Sequence, residues 1–234
     1  MTGRNRPPTT GHRSEIDAFL EEATALAPAG EGKGHLVFAL DATMSRQPTW
    51  DLACRLQAGM FEAAAGTGAL RVQLVYFRGF GECRASRWLD DASTLTQLMN
   101  RIDCRGGRTQ IERVLSHVKA QAGRTRIGAL VFVGDAMEEN IDAICAAAGE
   151  LGLVGVKAFM FQEGNDPQAE RAFAEVARLT GGVHERFDSR APLSLAALLR
   201  AAAVYATGGV SGLTRLAGSD ATARRLLTTL GKER

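Results

Sequence analysis

Apolar and polar positions along the chain alternate between two rhythms. Short runs rich in branched and aromatic residues cover His35–Leu40, Leu70–Phe77, Ile127–Val133, Val154–Phe161 and Val183–Phe187. Runs of this length, apolar on both sides and bounded by Gly or polar residues, predict buried parallel strands. Between them the apolar residues recur at helical spacing. Ile111, Val114, Leu115 and Val118 fall at i, i+3, i+4 and i+7, one clean face. His117 lies off that face and is expected to point to solvent. Pro48 sits where a first helical turn accepts proline, and Leu52, Leu56, Met60 and Ala63 follow as a buried stripe. Further helices are predicted over Asp90–Arg101, Ile141–Leu151, Asp166–Leu179 and Leu193–Tyr205, with Gly181 stopping the third of these. Ser14–Ala27 reads as a first helix capped by Ser14. After Gly208, Ser219 is placed to cap a last one with Leu226, Leu227 and Leu230 on one side. One strand pair breaks the alternation: Leu70–Phe77 and Cys83–Trp88 flank the turn Phe77–Glu82, so they read as a hairpin.

Strands alternating with helices predict an α/β fold, a doubly wound, Rossmann-like, mostly parallel six-stranded sheet with helices on both faces. Right-handed crossovers and the hairpin fit the order 3-2-1-4-5-6, with the hairpin's second strand as an antiparallel edge. The chain divides on this reading into a disordered tail over 1–13, a helix and linker over 14–34, the α/β domain over 35–207, and a helical extension over 208–234.

Composition narrows the function classes. The 234 residues carry a net charge of +2 and a hydrophobic fraction of 45%, so one domain with a sizeable core is expected. No polybasic run is present, which argues against a nucleic-acid partner. Met1–Arg13 lacks the apolar centre of a secretory signal. No apolar run reads as long enough to span a bilayer. A cytoplasmic protein without membrane association is expected. Cys54, Cys83, Cys104 and Cys145 form no C-x-x-C pair, and Cys54 and Cys145 lie on apolar helix faces as small hydrophobes. The segment Gly30–Gly34 resembles part of a phosphate loop, but Gly34 stands where Ser or Thr is needed and a strand follows instead of a helix.

The candidate chemistry gathers at strand ends. The first apolar run stops at Asp41, followed by Thr43 and Ser45 in Asp-x-Thr-x-Ser. In a doubly wound sheet the ligand crevice lies beyond the carboxyl ends of the strands, at the switch in strand order. The proposed order sets the strand ending in Asp41 beside the one ending in Asp135, and Thr109 arrives from a Gly-rich loop at the same end. Oxygen ligands of this kind suit a hard cation such as Mg²⁺.

From His35 to Tyr205 the chain resembles the von Willebrand factor A (VWA) domain family. The resemblance rests on Asp41, Thr43 and Ser45, on Gly106-Gly107-Arg108-Thr109, and on Asp135 after the fourth strand, in that order. It implies a metal-ion-dependent adhesion site (MIDAS) for Mg²⁺ or Mn²⁺ with Asp41, Thr43, Ser45, Thr109 and Asp135 as ligands, hydroxyls directly and carboxylates often through water. It further implies a protein-binding module rather than an enzyme, in which an Asp or Glu of a protein partner completes the coordination. By analogy of fold, that partner belongs to a bacterial multi-protein assembly. The sequence departs from the family at Thr43, where Ser is usual, and at Ala136, where Gly often follows the Asp; neither removes a ligand oxygen.

Arg46, Arg105 and Arg108 share the loops of the proposed ligands and are expected on the rim, where guanidinium forks match carboxylates. Glu138 and Glu139 read as first-turn acids of the helix that follows them. The alternative reading is a Mg²⁺-dependent, phosphatase-like hydrolase with Asp41 as nucleophile. Such enzymes resemble Asp-x-Asp at the strand end, and Thr43 occupies the second acidic position.

Overall fold

A computed structural model describes residues 33–188 and 191–232. The helix expected over 14–27 lies outside the described residues. Six strands form one sheet: β1 (Gly34–Asp41), β2 (Leu70–Arg78), β3 (Glu82–Ala85), β4 (Ala129–Gly134), β5 (Lys157–Glu163) and β6 (Val183–Phe187). Their order is β3-β2-β1-β4-β5-β6, with β3 antiparallel and every other pairing parallel. This is the order predicted from the alternation.

Side chains alternate across the central strands, so each strand feeds two cores. Leu36, Phe38 and Leu40 of β1 face one layer with Val131 and Val133 of β4. That layer is covered by α1 (Gln47–Leu56), α2 (Ala58–Ala64), α3 (Ala92–Met99), α7 (Pro192–Ala217) and α8 (Ala221–Lys232). Val37 and Ala39 face the other layer with Leu130 and Phe132. It is covered by α4 (Ile111–Ala122), α5 (Ile141–Leu153) and α6 (Pro167–Thr180). Burial on both faces explains why β1 and β4 read as unbroken apolar runs.

Local chemistry sets the helix starts. Asp91 accepts from the Thr94 amide at 2.8 Å, Asn140 from Asp142 at 2.8 Å, and Asp166 from Gln168 and Ala169 at 2.8 and 2.7 Å. Each satisfies an amide that the helix cannot. Gly181, at φ 58°, ends α6 in the left-handed conformation.

Several expectations are corrected. The segment Val154–Val156 is a turn through Gly155 at φ 78°, so β5 starts at Lys157. The last helix is capped by Asp220, which accepts from the Ala223 amide at 2.9 Å; the hydroxyl of Ser219 turns back to Leu216 instead. The proposed division at 207/208 falls inside α7, which kinks at Gly209. Both sides of the kink join the same core: Leu195, Leu198, Leu199 and Leu213 are buried in it, as is Leu226 of α8. The extension is part of the core, and Lys33–Arg234 forms one compact unit. Contrary to the sequence reading, α7 is long and apolar enough to cross a bilayer by length and composition alone, although here Leu195, Leu198, Leu199 and Leu213 line the core while Leu193 and Val210 are exposed. His117 is half-buried, within 2.9 Å of the Gln73 amide oxygen on β2, because the edge of α4 still overlies the sheet.

Candidate metal centre

The parallel register sets the site. Leu40 of β1 pairs with Val133 of β4, so Asp41 and the Gly134-Asp135 turn leave the sheet at one level. On the other side Asp41 pairs with Phe77 of β2. Asp41, Thr43, Ser45, Thr109 and Asp135 converge on a cleft of about 170 Å³, with Met44, Gly106, Gly107, Ala136 and Glu138 in its wall. The loop after β1 makes this possible. Asp41 Oδ1 accepts from the Thr43 amide at 2.7 Å, folding the chain so that Thr43 and Ser45 turn inward. Their hydroxyl oxygens stand 3.3 Å apart, and Ser45 Oγ stands 3.5 Å from Asp135 Oδ2.

The Thr109 loop is fastened from two sides. Arg105 donates its amide to Ala42 O at 2.9 Å, and Arg108 donates to Gly79 O at 3.0 Å. Gly107 is required at that crossing, since a Cβ there would lie 2.2 Å from Gly79 O. Thr109 and Glu138 bond reciprocally: the Thr109 amide donates to Glu138 Oε2 at 3.2 Å, and the Glu138 amide donates to Thr109 Oγ1 at 3.0 Å. Glu139 accepts from the amides of Ile111 and Glu112, at 2.5 and 3.1 Å. Glu138 and Glu139 therefore do not serve the helix after them, which Asn140 caps. Glu139 instead sits on the positive end of α4, and both acids tie the two ligand-bearing loops together.

Electrostatics favour a cation. Burial raises the Asp41 carboxyl to about 6, partly offset by hydrogen bonds from Thr43, while nearby Asp135 pushes it further up. A carboxylate so placed gains from any cation that enters. The oxygen spacings also suit one: adjacent ligands on an octahedral Mg²⁺ lie about 2.9 Å apart, a few tenths closer than the spacings here. Among the described residues no group of three or more His, Cys, Asp and Glu side chains could hold a metal. A metal in this cleft would depend on the three hydroxyls.

Arg46 is not on the rim. Its side chain is 3% exposed, paired with Glu163 at the end of β5 and 3.5 Å from Asp135 Oδ2. It begins α1 from within, because the turn at Met44–Arg46 directs it under the loop. Thr49 donates to the same Glu163 carboxylate. Nε and Nη2 of Arg46 are buried without hydrogen-bond partners. The guanidinium is thus a fixed positive charge that partly compensates Asp135. Arg105 and Arg108 are exposed as expected. The sequence reading missed Glu163 and Thr49. The usable signal was an acid closing a buried strand, Lys157–Glu163, at the same carboxyl end of the sheet as Asp41 and Asp135.

No family model and no curated protein matches the chain. Solved structures do match. A von Willebrand factor type A protein from Catenulispora acidiphila superposes with a TM-score of 0.60 at 18% identity, over 76% of this chain and 43% of that one. An aerotolerance-related membrane protein from Bacteroides fragilis gives 0.55 at 17%, over 72% of this chain and 98% of that one. Proximal thread matrix protein 1 from the mussel byssus, with a zinc-occupied MIDAS motif, gives 0.55 at 14%, over 73% and 48%. This chain spans less than half the length of the first and third of these. With its strand order, antiparallel edge strand and helices on both faces, the chain has the VWA fold.

Proposed function

We propose that the cleft binds a divalent cation, Mg²⁺ or Mn²⁺, and that the protein uses it to recognise an Asp or Glu of a protein partner. The observation that carries this reading is the convergence of Asp41, Thr43, Ser45, Thr109 and Asp135 from three separate loops on one cleft. These five residues would hold the cation. Once bound, it supplies a concentrated positive charge to which an incoming carboxylate can add. Neutral hydroxyls leave much of that charge uncompensated, and Mg²⁺ keeps exchangeable waters. Arg46 beside Asp135 weakens the site's pull on a metal, so affinity without a partner is expected to be low. Exposed Arg105 and Arg108 at the mouth would steer an acidic partner. We also propose that the protein acts in the cytoplasm, within a bacterial multi-protein assembly.

The hydrolase alternative has less support, because Thr43 holds the place where a general acid would stand beside Asp41; turnover of a phosphate ester in Mg²⁺ would revive it. Titration calorimetry with Mn²⁺ tests the metal. One site per chain is expected in the wild type and none in Asp41→Ala, with the fold retained. Equal binding by both proteins would place the metal elsewhere. Partner capture in Mg²⁺, repeated with chelator, tests recognition: undiminished capture in chelator would refute it.

A further inference from the structure

A second feature stands at the same end of the sheet. Phe80, at the tip of the β2–β3 hairpin, is 87% exposed. An aromatic on a loose loop would need no explanation, but this turn is held on every side. Gly79 adopts φ 62° and accepts the Arg108 amide at 3.0 Å. Gly81 O accepts from Arg113 Nη1 at 2.8 Å. The Gln110 side-chain amide reaches both flanks, Arg78 O and Glu82 O, each at 3.3 Å. Gln110 and Arg108 flank Thr109, so the loop that carries a candidate ligand also fixes the hairpin tip.

The register sets the reach. Phe77 pairs with Asp41, and Phe80 lies three residues beyond, at most about 10 Å of chain from that level. Met44, 67% exposed, lies in the wall of the cleft. Two large apolar side chains thus stand in water, Met44 in the cleft wall and Phe80 on a hairpin tip tied to the Thr109 loop, the loop that also carries the exposed Arg105 and Arg108. Rigid aromatic anchors of this kind dominate binding where they meet an apolar partner group.

We propose that Phe80 is the apolar half of a two-point docking face, whose occupant is a segment of another protein bearing an acidic residue with an apolar residue about three positions away. This rests on the reading of the cleft as a metal site. The basic mouth selects an acidic segment. The reach to Phe80, at about 3.3 Å per extended residue, caps that spacing at about three positions. Met44 packs beside the acidic residue, and Phe80 takes the apolar one.

Fluorescence anisotropy with defined peptides tests the proposal. One peptide carries a central Asp with Leu three residues to either side. A second has Ser in place of Leu, and a third has Asn in place of Asp. Each is titrated with full-length protein in Mn²⁺ and in EDTA. The Leu peptide is expected to bind about tenfold more tightly than the Ser peptide. Phe80→Ser should erase that preference while leaving the melting temperature and the calorimetric Mn²⁺ titration unchanged. Binding that needs Mn²⁺ but shows the same Leu preference in Phe80→Ser overturns the docking face and leaves the metal reading standing. Binding that depends on Phe80 yet persists in EDTA overturns the metal reading and keeps the apolar anchor. Failure of every peptide overturns the proposal. Self-association in sedimentation that disappears in Phe80→Ser also does so, since the occupant would be a second copy.

Discussion

The buried Arg46–Glu163 pair should respond asymmetrically to removal of its two members. Arg46 is 3% exposed, whereas Glu163 and Asp135 are 18% and 28% exposed. Glu163→Gln keeps a partner for Thr49 but strands a guanidinium that water cannot reach. An uncompensated buried charge costs about 3–5 kcal/mol. Asp135 at 3.5 Å still offsets part of it, so about 3 kcal/mol is expected. Arg46→Met leaves carboxylates that water can reach. It also removes two buried nitrogen donors without partners, Nε and Nη2, each of which costs about 1–3 kcal/mol where it stands. Its net cost should be about 1 kcal/mol. At roughly 2–4 °C per kcal/mol for a domain of this size, Glu163→Gln should melt about 6–12 °C lower and Arg46→Met by less than about 4 °C. The double variant should lie closer to the wild type than Glu163→Gln alone. Thermal and urea unfolding in EDTA would measure the cycle without interference from metal at Asp135. Arg46→Met costing as much as Glu163→Gln, or strictly additive effects, would refute the reasoning from unequal burial.

Other outcomes follow from particular contacts. Thr109→Ala should abolish metal-dependent partner binding with the fold intact by circular dichroism, whereas Arg108→Ala should weaken it only a few-fold, and less at high salt, where its charge is screened. Leu226→Ala should lower stability to urea by about 2–4 kcal/mol, because α8 closes the core rather than trailing from it. Burial holds the His117 and His184 imidazoles below the ordinary value. They stay neutral in the fold where the unfolded chain would protonate, so their stabilisation is complete above about pH 6.5 and is lost as pH falls through the folded values. Gln at both positions should flatten the decline of urea stability between about pH 6.5 and 5. Hydrogen exchange should be slowest in β1 and β4, the two central strands.

Much of this architecture was legible because its signals are local. Alternating strand and helix rhythms, with one hairpin between Phe77 and Cys83, were enough for the strand order. Asp41 and Asp135 stood out because each closes an apolar run. Where reading failed, the deciding contact was distant. Nothing near Arg46 announces Glu163, so a basic residue in a polar loop read as rim. His117 lies off its helix's apolar face, and only the Gln73 amide on β2 explains its burial. Glu138 and Glu139 followed the rule for helix starts, but Glu138 served the Thr109 loop and Glu139 the first residues of α4, about one crossover earlier in the chain. Asp220 and Ser219 are adjacent and both cap well by type, so composition could not separate them. Phe80 carried no signal as an anchor, because a Gly-Phe-Gly turn looks the same whether or not its carbonyls are tied down.

The loop contact between Ser45 and Asp135 joins positions 90 residues apart. Such a crossover cannot assemble piecemeal, since the entropy of closing so long a segment is recovered only when β1 and β4 dock side by side. No fragment ending before β4 carries the cleft, and a nascent chain lacks it until that strand has emerged and paired. A metal that binds only the completed arrangement favours the native state by mass action. It also reports globally: occupancy of the cleft registers closure of the whole central sheet, whereas fraying of α8 at the far end of the chain need not disturb it.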